Sequence, residues 1–131
     1  MSQIPQEFMD LFERPVFAHL ATITPKGAVQ VNPVWVDLHE GLVRFNSARG
    51  RQKDRNIRHN PQVALSLLDP DQPYRYLEVR GRVVEITEEG ADAVIDGLAR
   101  KYLGVDRFPY HAPGETRVTY LLQPEHCTKM A

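Results

Sequence analysis

The segment FNSARGRQKDRNIRHNP, residues 45–61, decides the fold predicted for this chain. It begins as an apolar strand, turns at Gly50 and continues into a basic helix that ends before Pro61. Between residues 49 and 60 there are four Arg and one Lys against a single Asp, a local charge of +4 in a chain with a net charge of −1. Backbone N–H groups at a helix N-terminus favour anions, and flanking cations add charge-assisted hydrogen bonds. The segment therefore predicts an anion-binding strand, turn and helix, with a solvated amphipathic helix as the alternative.

Composition restricts the class of protein. The 131 residues fit a single domain, residues 1–131, with one hydrophobic core. A hydrophobic fraction of 42% and a charged fraction of 25% are typical of globular chains, which excludes disorder and fibrous repeats. No apolar run approaches the roughly 20 residues that span a bilayer, and the N-terminus lacks the pattern of a secretory signal. We expect a soluble, cytoplasmic protein with no membrane partner.

The remaining chain is dominated by strand patterns. Ser2 is a candidate N-cap for a short N-terminal helix whose apolar face carries Phe8, Leu11 and Phe12. Six runs rich in β-branched and apolar residues then predict strands at 17–22, 28–37, 42–47, 62–68, 76–86 and 116–122. Turn-forming clusters separate most of them, and one such cluster is Asp37 to Gly41. Strands joined by short turns pair antiparallel, because a parallel pair needs a long crossover.

Two helices connect strands in this scheme. The basic helix runs from about Gly50 to Asn60, and a second runs from about Glu88 to Tyr102, with Thr87 as N-cap and Gly104 past its end. Six short strands in a small chain avoid exposed edges by closing on themselves. We therefore predict a mainly β (α+β) fold, a small six-stranded antiparallel barrel with a few flanking helices. An open α+β sheet is the alternative.

The second strand contains an irregularity at Asn32-Pro33. Proline cannot donate a ladder hydrogen bond, so the strand is bulged here or lies at an edge, and Trp35 faces opposite to Val34 and Val36. Bulged strands often direct side chains toward a binding site. The alternative is that Pro33 only bends the strand and Trp35 fills the core.

The sequence contains none of the common motifs of enzymes that catalyse reactions with their own side chains or a metal ion. There is no Gly-rich nucleotide loop, zinc-protease motif or nucleophile elbow, the five histidines are far apart, and Cys127 is the single cysteine. We expect no metal site. The basic residues occupy one short segment without interleaved aromatic residues, which argues against nucleic acid as a partner. A small barrel with an anion-binding segment favours a protein that binds a phosphorylated organic cofactor and a small-molecule substrate.

A series of short motifs resembles one known family. In order they are LAT at 20–22, PKG at 25–27, PVW at 33–35, FNS at 45–47, KDRN at 53–56, NP at 60–61 and VRG at 79–81. This order is similar to that of the pyridoxamine-phosphate-oxidase-like, FMN-binding split-barrel family. It is most similar to the short actinobacterial members that use the deazaflavin coenzyme F420.

The resemblance implies a homodimer with two cofactor sites in clefts between the subunits. It implies that Asn46, Ser47 and Ala48 pass their backbone along the ring and side chain of the cofactor. Arg51, Lys53 and Arg55 would hold its phosphate or the carboxylates of a polyglutamate tail. The other implied cofactor-binding residues, which flank the ring or lie near it, are Pro33, Val34, Trp35, Tyr74 and Tyr76; the two tyrosines are equally consistent with barrel packing.

The sequence differs in two ways from the true pyridoxamine phosphate oxidases of this family. True pyridoxamine phosphate oxidases carry Ser-Arg-Lys where this chain has Arg51-Gln52-Lys53, and they have a longer basic C-terminal region. The leading hypothesis is an F420-dependent reductase that transfers hydride to an electron-poor organic substrate. An FMN-dependent oxidase or reductase, or a non-catalytic cofactor carrier, is the alternative. No residue is assigned as catalytic, although Tyr110 and His111 lie in a loop that is a candidate lid and source of a proton.

Overall fold

The computed structural model describes residues 3–131 and contains one antiparallel sheet with short helices around it. The predicted N-cap Ser2 lies outside the described residues. In chain order the elements are a 3₁₀ turn (Gln6–Phe8), α1 (Asp10–Glu13), β1 (Ala18–Ile23), β2 (Val29–Val34), β3 (Asp37–His39), β4 (Leu42–Ala48), α2 (Gln52–His59), β5 (Gln62–Leu68), β6 (Tyr76–Thr87), α3 (Ala91–Leu103) and β7 (Arg117–Met130).

The sheet is ordered β2-β1-β5-β6-β7-β4-β3, and every neighbouring pair of strands is antiparallel. The predicted mainly β fold is confirmed. The two edge strands, β2 and β3, are not hydrogen-bonded to each other, so the sheet is not closed into a barrel. This open arrangement is consistent with a split barrel.

The strand count differs from the prediction of six. Residues 37–39, predicted as part of a turn, form β3, which pairs with the start of β4 through a tight hairpin. Glu40 and Gly41 supply this turn with positive φ angles of 52° and 82°. The last strand is longer than predicted because a register shift near Gly81 accommodates Pro124, and β7 continues to Met130.

Side chains from both halves of the sheet and from the N-terminal segment fill one core. Phe8, Leu11 and Phe12 are buried there, as the predicted apolar face requires. Phe45 on β4 stacks on Tyr120 on β7 with ring centroids 5.0 Å apart. This pair lies at the centre of the molecule and connects the core to the strands that carry the basic segment.

Helix α3 begins three residues later than expected. Its N-cap is Gly90, in the left-handed conformation with φ of 73°, and the predicted cap Thr87 is wrong. Because β6 extends through Thr87, the chain must turn before the helix starts, and the Thr87 hydroxyl accepts the N–H of Glu89 in that turn. The predicted Gly104 forms the C-cap with φ of 71°.

The irregular strand β2 is an edge strand, as Pro33 predicts. Val34 and Val36 are buried, whereas Trp35 is half-buried on the opposite side and lies against α3. Pro33 and Trp35 thus delimit a surface between the sheet edge and α3. No helix within residues 3–131 is long and apolar enough to cross a membrane.

Candidate functional site

The N-terminus of α2 has no side-chain cap. The chain turns into it at Gly50, which has a φ of 85° and therefore tolerates no ordinary side chain without strain. Oδ2 of Asp54 accepts the Gly50 N–H at 2.9 Å, one residue before the N-cap position. The N–H groups of the first helical turn are consequently left without a side-chain acceptor, and this end of the helix favours an anion.

Asp54 fixes this turn to the core. Its side chain is only 2% exposed, and its Oδ1 accepts hydrogen bonds from the Tyr120 hydroxyl at 2.6 Å and from Arg58 Nε at 2.9 Å. Burial raises the pKa of Asp54, but the bonds from Gly50, Tyr120 and Arg58 outweigh it, so the pKa lies below its usual value. The buried carboxylate therefore holds the basic turn in one place relative to β7.

A pocket of about 180 Å³ lies beside this turn, between the β2 edge, β4, α3 and the start of β7. We call it the aromatic pocket. Its apolar lining comes from Phe17, Val34, Trp35, Ile95, Leu98 and Phe108. Its polar groups come from Asn46, Lys53, Tyr110 and Arg117, and Pro33 completes its wall. A mostly apolar concavity with a few convergent polar groups is typical of a small-molecule site.

The aromatic wall has a fixed geometry. Trp35 stacks nearly parallel on Tyr102, with centroids 5.3 Å apart and planes 13° apart, and Phe108 meets Trp35 edge-on at 5.9 Å. The Tyr102 hydroxyl donates to Val16 O at 2.6 Å and accepts the Val36 N–H at 3.0 Å. Because both ends of the stack are anchored, Trp35 presents a flat, preorganised surface.

Lys53 is the cation of the basic segment that enters the pocket. Arg49 pairs with Glu88, Arg51 with Glu115, and Arg58 with Asp54, while Arg55 bonds Gly50 O and Gln52. Lys53 has no hydrogen bond or ion pair among the described residues. Burial, and then the charges of Arg51 and Arg117, lower the pKa of Lys53 to about 8. A desolvated, unpaired ammonium favours an anionic ligand.

Arg117 is the second cation of the pocket. It is 5% exposed, and its Nε donates to Oδ1 of Asn46 at 2.9 Å. The Asn46 Nδ2 in turn donates to Ala91 O at 3.0 Å and to the Thr119 hydroxyl at 3.2 Å. Asn46 is thus held from two sides and fixes the orientation of the guanidinium.

Comparisons with known proteins identify the family of this chain. The family model for pyridoxamine 5'-phosphate oxidase matches residues 4–130. The chain belongs to this family. The resemblance seen in its motifs is therefore confirmed.

An F420 reductase of Mycobacterium smegmatis is similar to this chain in both sequence and fold, with 39% identity, a TM-score of 0.83, and coverage of 95% of this chain and 98% of that chain. Two other solved structures are more distant in sequence. The conserved hypothetical protein Rv2991 of Mycobacterium tuberculosis has 23% identity and a TM-score of 0.77, covering 98% and 85%. HupZ of Group A Streptococcus has 22% identity and a TM-score of 0.71, covering 97% and 94%. These two show the fold alone, and a comparison with curated protein sequences gave no match.

Five of the predicted cofactor-binding residues line the aromatic pocket. These five are Pro33, Val34, Trp35, Asn46 and Lys53.

The other predicted residues lie outside the pocket lining. Ser47 and Ala48 continue β4 beyond the last residue paired with β3, so no strand covers their outer edge within the described residues. Arg51 and Arg55 organise the turn itself. Tyr74 is 81% exposed in the β5–β6 loop, and Tyr76 pairs with Met130 at the far end of β6. The two tyrosines are therefore not part of the aromatic pocket.

Sequence reasoning missed Arg117, Glu115 and the aromatic residues Tyr102 and Phe108. Glu115 lies in the loop before β7, and Arg117 is the first residue of that strand, so no strand periodicity relates the two side chains. The sequence pattern therefore does not indicate that both of them meet Arg51. The candidate lid residues Tyr110 and His111 follow Phe108 in the α3–β7 loop, and both are exposed.

A second concavity, of about 420 Å³, lies on β1, β2, β5 and β6. It contains none of the predicted site residues, and its lining includes Thr22, Val29 and Arg80. Although it is larger, its lining contains neither Lys53 nor the stacked rings of the aromatic pocket. Among residues 3–131 no group of three or more His, Cys, Asp or Glu side chains is arranged to hold a metal ion.

Proposed function

We propose that this protein is an F420-dependent oxidoreductase whose deazaflavin binds in the aromatic pocket with its anionic tail toward α2. The observation that carries the proposal is Lys53, a largely buried ammonium in the pocket of Trp35 and Arg117 that has no partner among residues 3–131. The 39% identity to an F420 reductase over 95% of the chain supports the same cofactor.

The residues of the pocket fit a flat, anionic cofactor. Among the described residues Lys53 has no partner, and Nη1 of Arg117 is ion-paired with Glu115 at 3.3 Å but forms no hydrogen bond, so both cations can interact with a ligand near one aromatic wall. In this proposal Pro33, Val34 and Trp35 flank the ring system, and the uncovered edge of Asn46, Ser47 and Ala48 offers backbone groups to it. The positive charge and the stacking surface of this pocket support the proposal.

We propose that Lys53 holds the first acidic group of the cofactor and that Arg51 and Arg55 face the more distant ones. Arg51 and Arg55 already have intramolecular partners, so each must exchange or share one to bind a ligand. Lys53 has none to exchange within the described part of the chain. We therefore expect the largest effect of a single substitution at Lys53.

The deazaflavin, when bound, supplies two-electron hydride chemistry to a small electron-poor substrate. The protein contributes orientation and exclusion of water. Trp35 stacks on Tyr102 and meets Phe108 edge-on, so these rings would restrict the orientation of a ring placed beside them. Tyr110 and His111 are exposed near this opening, but no residue is assigned as a proton donor.

We further propose that the active form is a homodimer. Val29 and Val31 on the edge strand β2 are 70% and 59% exposed, and Phe17 at the pocket is 52% exposed. An edge strand with exposed apolar residues favours association with another chain. A second subunit on this side would cover the open part of the site.

The test is a parallel titration of the dialysed protein with coenzyme F420 and with FMN, followed by fluorescence. We expect tight binding of F420 and weak binding of FMN. Replacement Lys53→Ala should weaken F420 binding by about 1.5–3 kcal/mol, or roughly 10- to 150-fold, because it removes a charge-assisted hydrogen bond. The matched control is Lys26→Ala, which removes an exposed lysine from the β1–β2 turn and should change nothing.

Each other result has a definite meaning. Preferential binding of FMN would make the protein an FMN-dependent oxidase or reductase, the alternative that the family description supports. Tight F420 binding without turnover of quinones or activated alkenes would indicate a cofactor carrier. Binding of neither cofactor would exclude both enzyme proposals.

A further inference from the structure

Arg117 has donor capacity that the protein does not use. Its Nη1 is buried and forms no hydrogen bond with the described residues. The same atom lies 3.3 Å from Oε1 of Glu115, an ion-pair distance at which hydrogen-bond geometry is not met. The guanidinium lies 4.9 Å from the centre of the Phe108 ring, inside the aromatic pocket. A buried N–H donor without a well-oriented acceptor is costly, so an acceptor entering the pocket would stabilise this arrangement.

The charge around this group is also unbalanced. Arg51, Lys53 and Arg117 are close enough to influence one another. Two carboxylates oppose these three cations: Glu115, which contacts Arg51 and Arg117, and Asp92, whose charge acts on Arg117. Glu115 also contacts a third partner, because Nδ1 of His111 lies 2.8 Å from its Oε2. Burial lowers the pKa of Arg117 below its usual value, which reflects the cost of this enclosed cation. An anion is therefore favoured over a neutral acceptor.

We propose that Arg117 is an anion-binding residue at the inner end of the aromatic pocket, and that its ligand is a flat conjugated molecule with an anionic oxygen such as a carboxylate or enolate. The proposal deepens the proposed function, because it concerns the same site. The flatness follows from the ring stack of Trp35 and Tyr102, and the anionic oxygen follows from Nη1, which contacts Glu115 but forms no hydrogen bond with the described residues. Both a substrate and the cofactor can carry such a group.

Glu115 competes for the same cation. Its side chain is 2% exposed, and it lies on the loop that carries Phe108, so it holds this loop against Arg51 and Arg117. When a ligand oxygen binds Arg117, Glu115 retains Arg51 as its partner at 2.9 Å. Neutralising Glu115 should therefore strengthen the binding of an anion and leave the binding of a neutral molecule unchanged.

The test compares two probes of nearly equal shape, 2-naphthoate and 2-naphthamide, by isothermal titration calorimetry. The wild-type protein should bind the carboxylate at least about tenfold more tightly than the amide, as expected for a charge-assisted bond. Arg117→Met should lose most of this preference while its binding of the amide changes little. A preference that persists in folded Arg117→Met protein, or its absence from the wild type, would overturn the proposal.

A second variant keeps Arg117 in place. Glu115→Gln should bind 2-naphthoate several-fold more tightly and 2-naphthamide as before. If Arg117 and Glu115 have only a structural role, Glu115→Gln changes both affinities together, and that outcome refutes the competition. Thermal melting of each variant, recorded in parallel, shows whether the protein titrated is folded.

Repeating the titration on protein saturated with F420 identifies the source of the anion. A carboxylate preference that survives saturation assigns Arg117 to the substrate, and loss of 2-naphthoate binding assigns it to the cofactor. Failure of F420 to bind, with the preference intact in the free protein, would reject the proposed function and leave the anion site established.

Discussion

The Tyr120 hydroxyl on β7 donates a 2.6 Å hydrogen bond to Oδ1 of Asp54 on α2, and both groups are buried. The other oxygen of Asp54 accepts the Gly50 N–H. Tyr120 also stacks on Phe45, the residue from which the basic segment begins. One tyrosine thus connects the core to both ends of the anion-binding turn.

Replacing Tyr120 with Phe should lower the free energy of unfolding by about 1–3 kcal/mol, because a buried carboxylate loses a donor. Urea denaturation followed by circular dichroism measures the change. Tyr74→Phe, which removes the hydroxyl of a tyrosine that is 81% exposed, is the matched control and should have no effect. Equal stabilities of the two variants would show that the bond to Asp54 contributes nothing.

Replacing Gly81 and Gly97 with alanine should change the stability of the protein in opposite directions. A Cβ at Gly81 would lie 2.0 Å from the carbonyl oxygen of Gln123, at the register shift between β6 and β7. Gly81→Ala should therefore destabilise the protein by about 3 kcal/mol or more. Gly97 lies inside α3 with its nearest neighbour 3.7 Å away, so Gly97→Ala should stabilise it by about 0.5–1 kcal/mol. Denaturation midpoints of both variants test the pair, and a tolerated Gly81→Ala would contradict the close approach.

The sequence predicted the strands that alternate clearly and the turn at Gly50, because local patterns determine them. The predictions were wrong where pairing with a distant strand determines the structure. Residues 37–39 form β3 only because β4 offers a partner, and β7 passes Pro124 only because β6 shifts register beside it. Both departures depend on contacts between distant segments, which a periodicity does not contain.

The same distinction applies to the site. Five cations in twelve residues predicted an anion site around Lys53, and Pro33 marked an irregular strand beside Trp35, but the resemblance to the family assigned these two residues to the cofactor. Both line the aromatic pocket. Arg117 was missed, since an isolated arginine at the start of a strand resembles any solvent-facing residue. Its role depends on α3 and Asn46 enclosing it, which is visible only in three dimensions.

If the protein forms a homodimer through β2, a charge introduced at Val31 should prevent dimerisation. Val31→Glu places a charge on an exposed apolar edge strand, and burying it against a second subunit would be costly, so the variant should be monomeric. Sedimentation velocity measures the mass in solution. Val84→Glu is the matched control, because Val84 is 54% exposed at the register shift between Val83 and Glu85 on β6, an interior strand of the sheet, and this variant should remain dimeric. A dimeric Val31→Glu protein would remove β2 from the interface.

The binding of coenzyme F420 should weaken as pH rises through about 8. Lys53 has a pKa of about 8 in the free protein, lowered from 10.5 mainly by burial, and only its protonated form attracts an anion. Above that pH the dissociation constant should rise by up to about tenfold per pH unit, until the higher pKa of Lys53 in the complex is reached. The acidic groups of the coenzyme's tail stay ionised over this range and do not contribute.

Folding stability is expected to change in the opposite direction, which separates the two effects. A lysine whose pKa is lower in the folded than in the unfolded state makes the protein more stable as pH rises from about 8 to 10.5. Lys101 has the same lowered pKa of about 8, again because of burial, so a stability profile reflects both lysines. Binding isolates Lys53. Fluorescence titrations at several pH values should show a flat profile for Lys53→Met and the full slope for Lys101→Met; a slope retained in Lys53→Met would place the titrating group elsewhere.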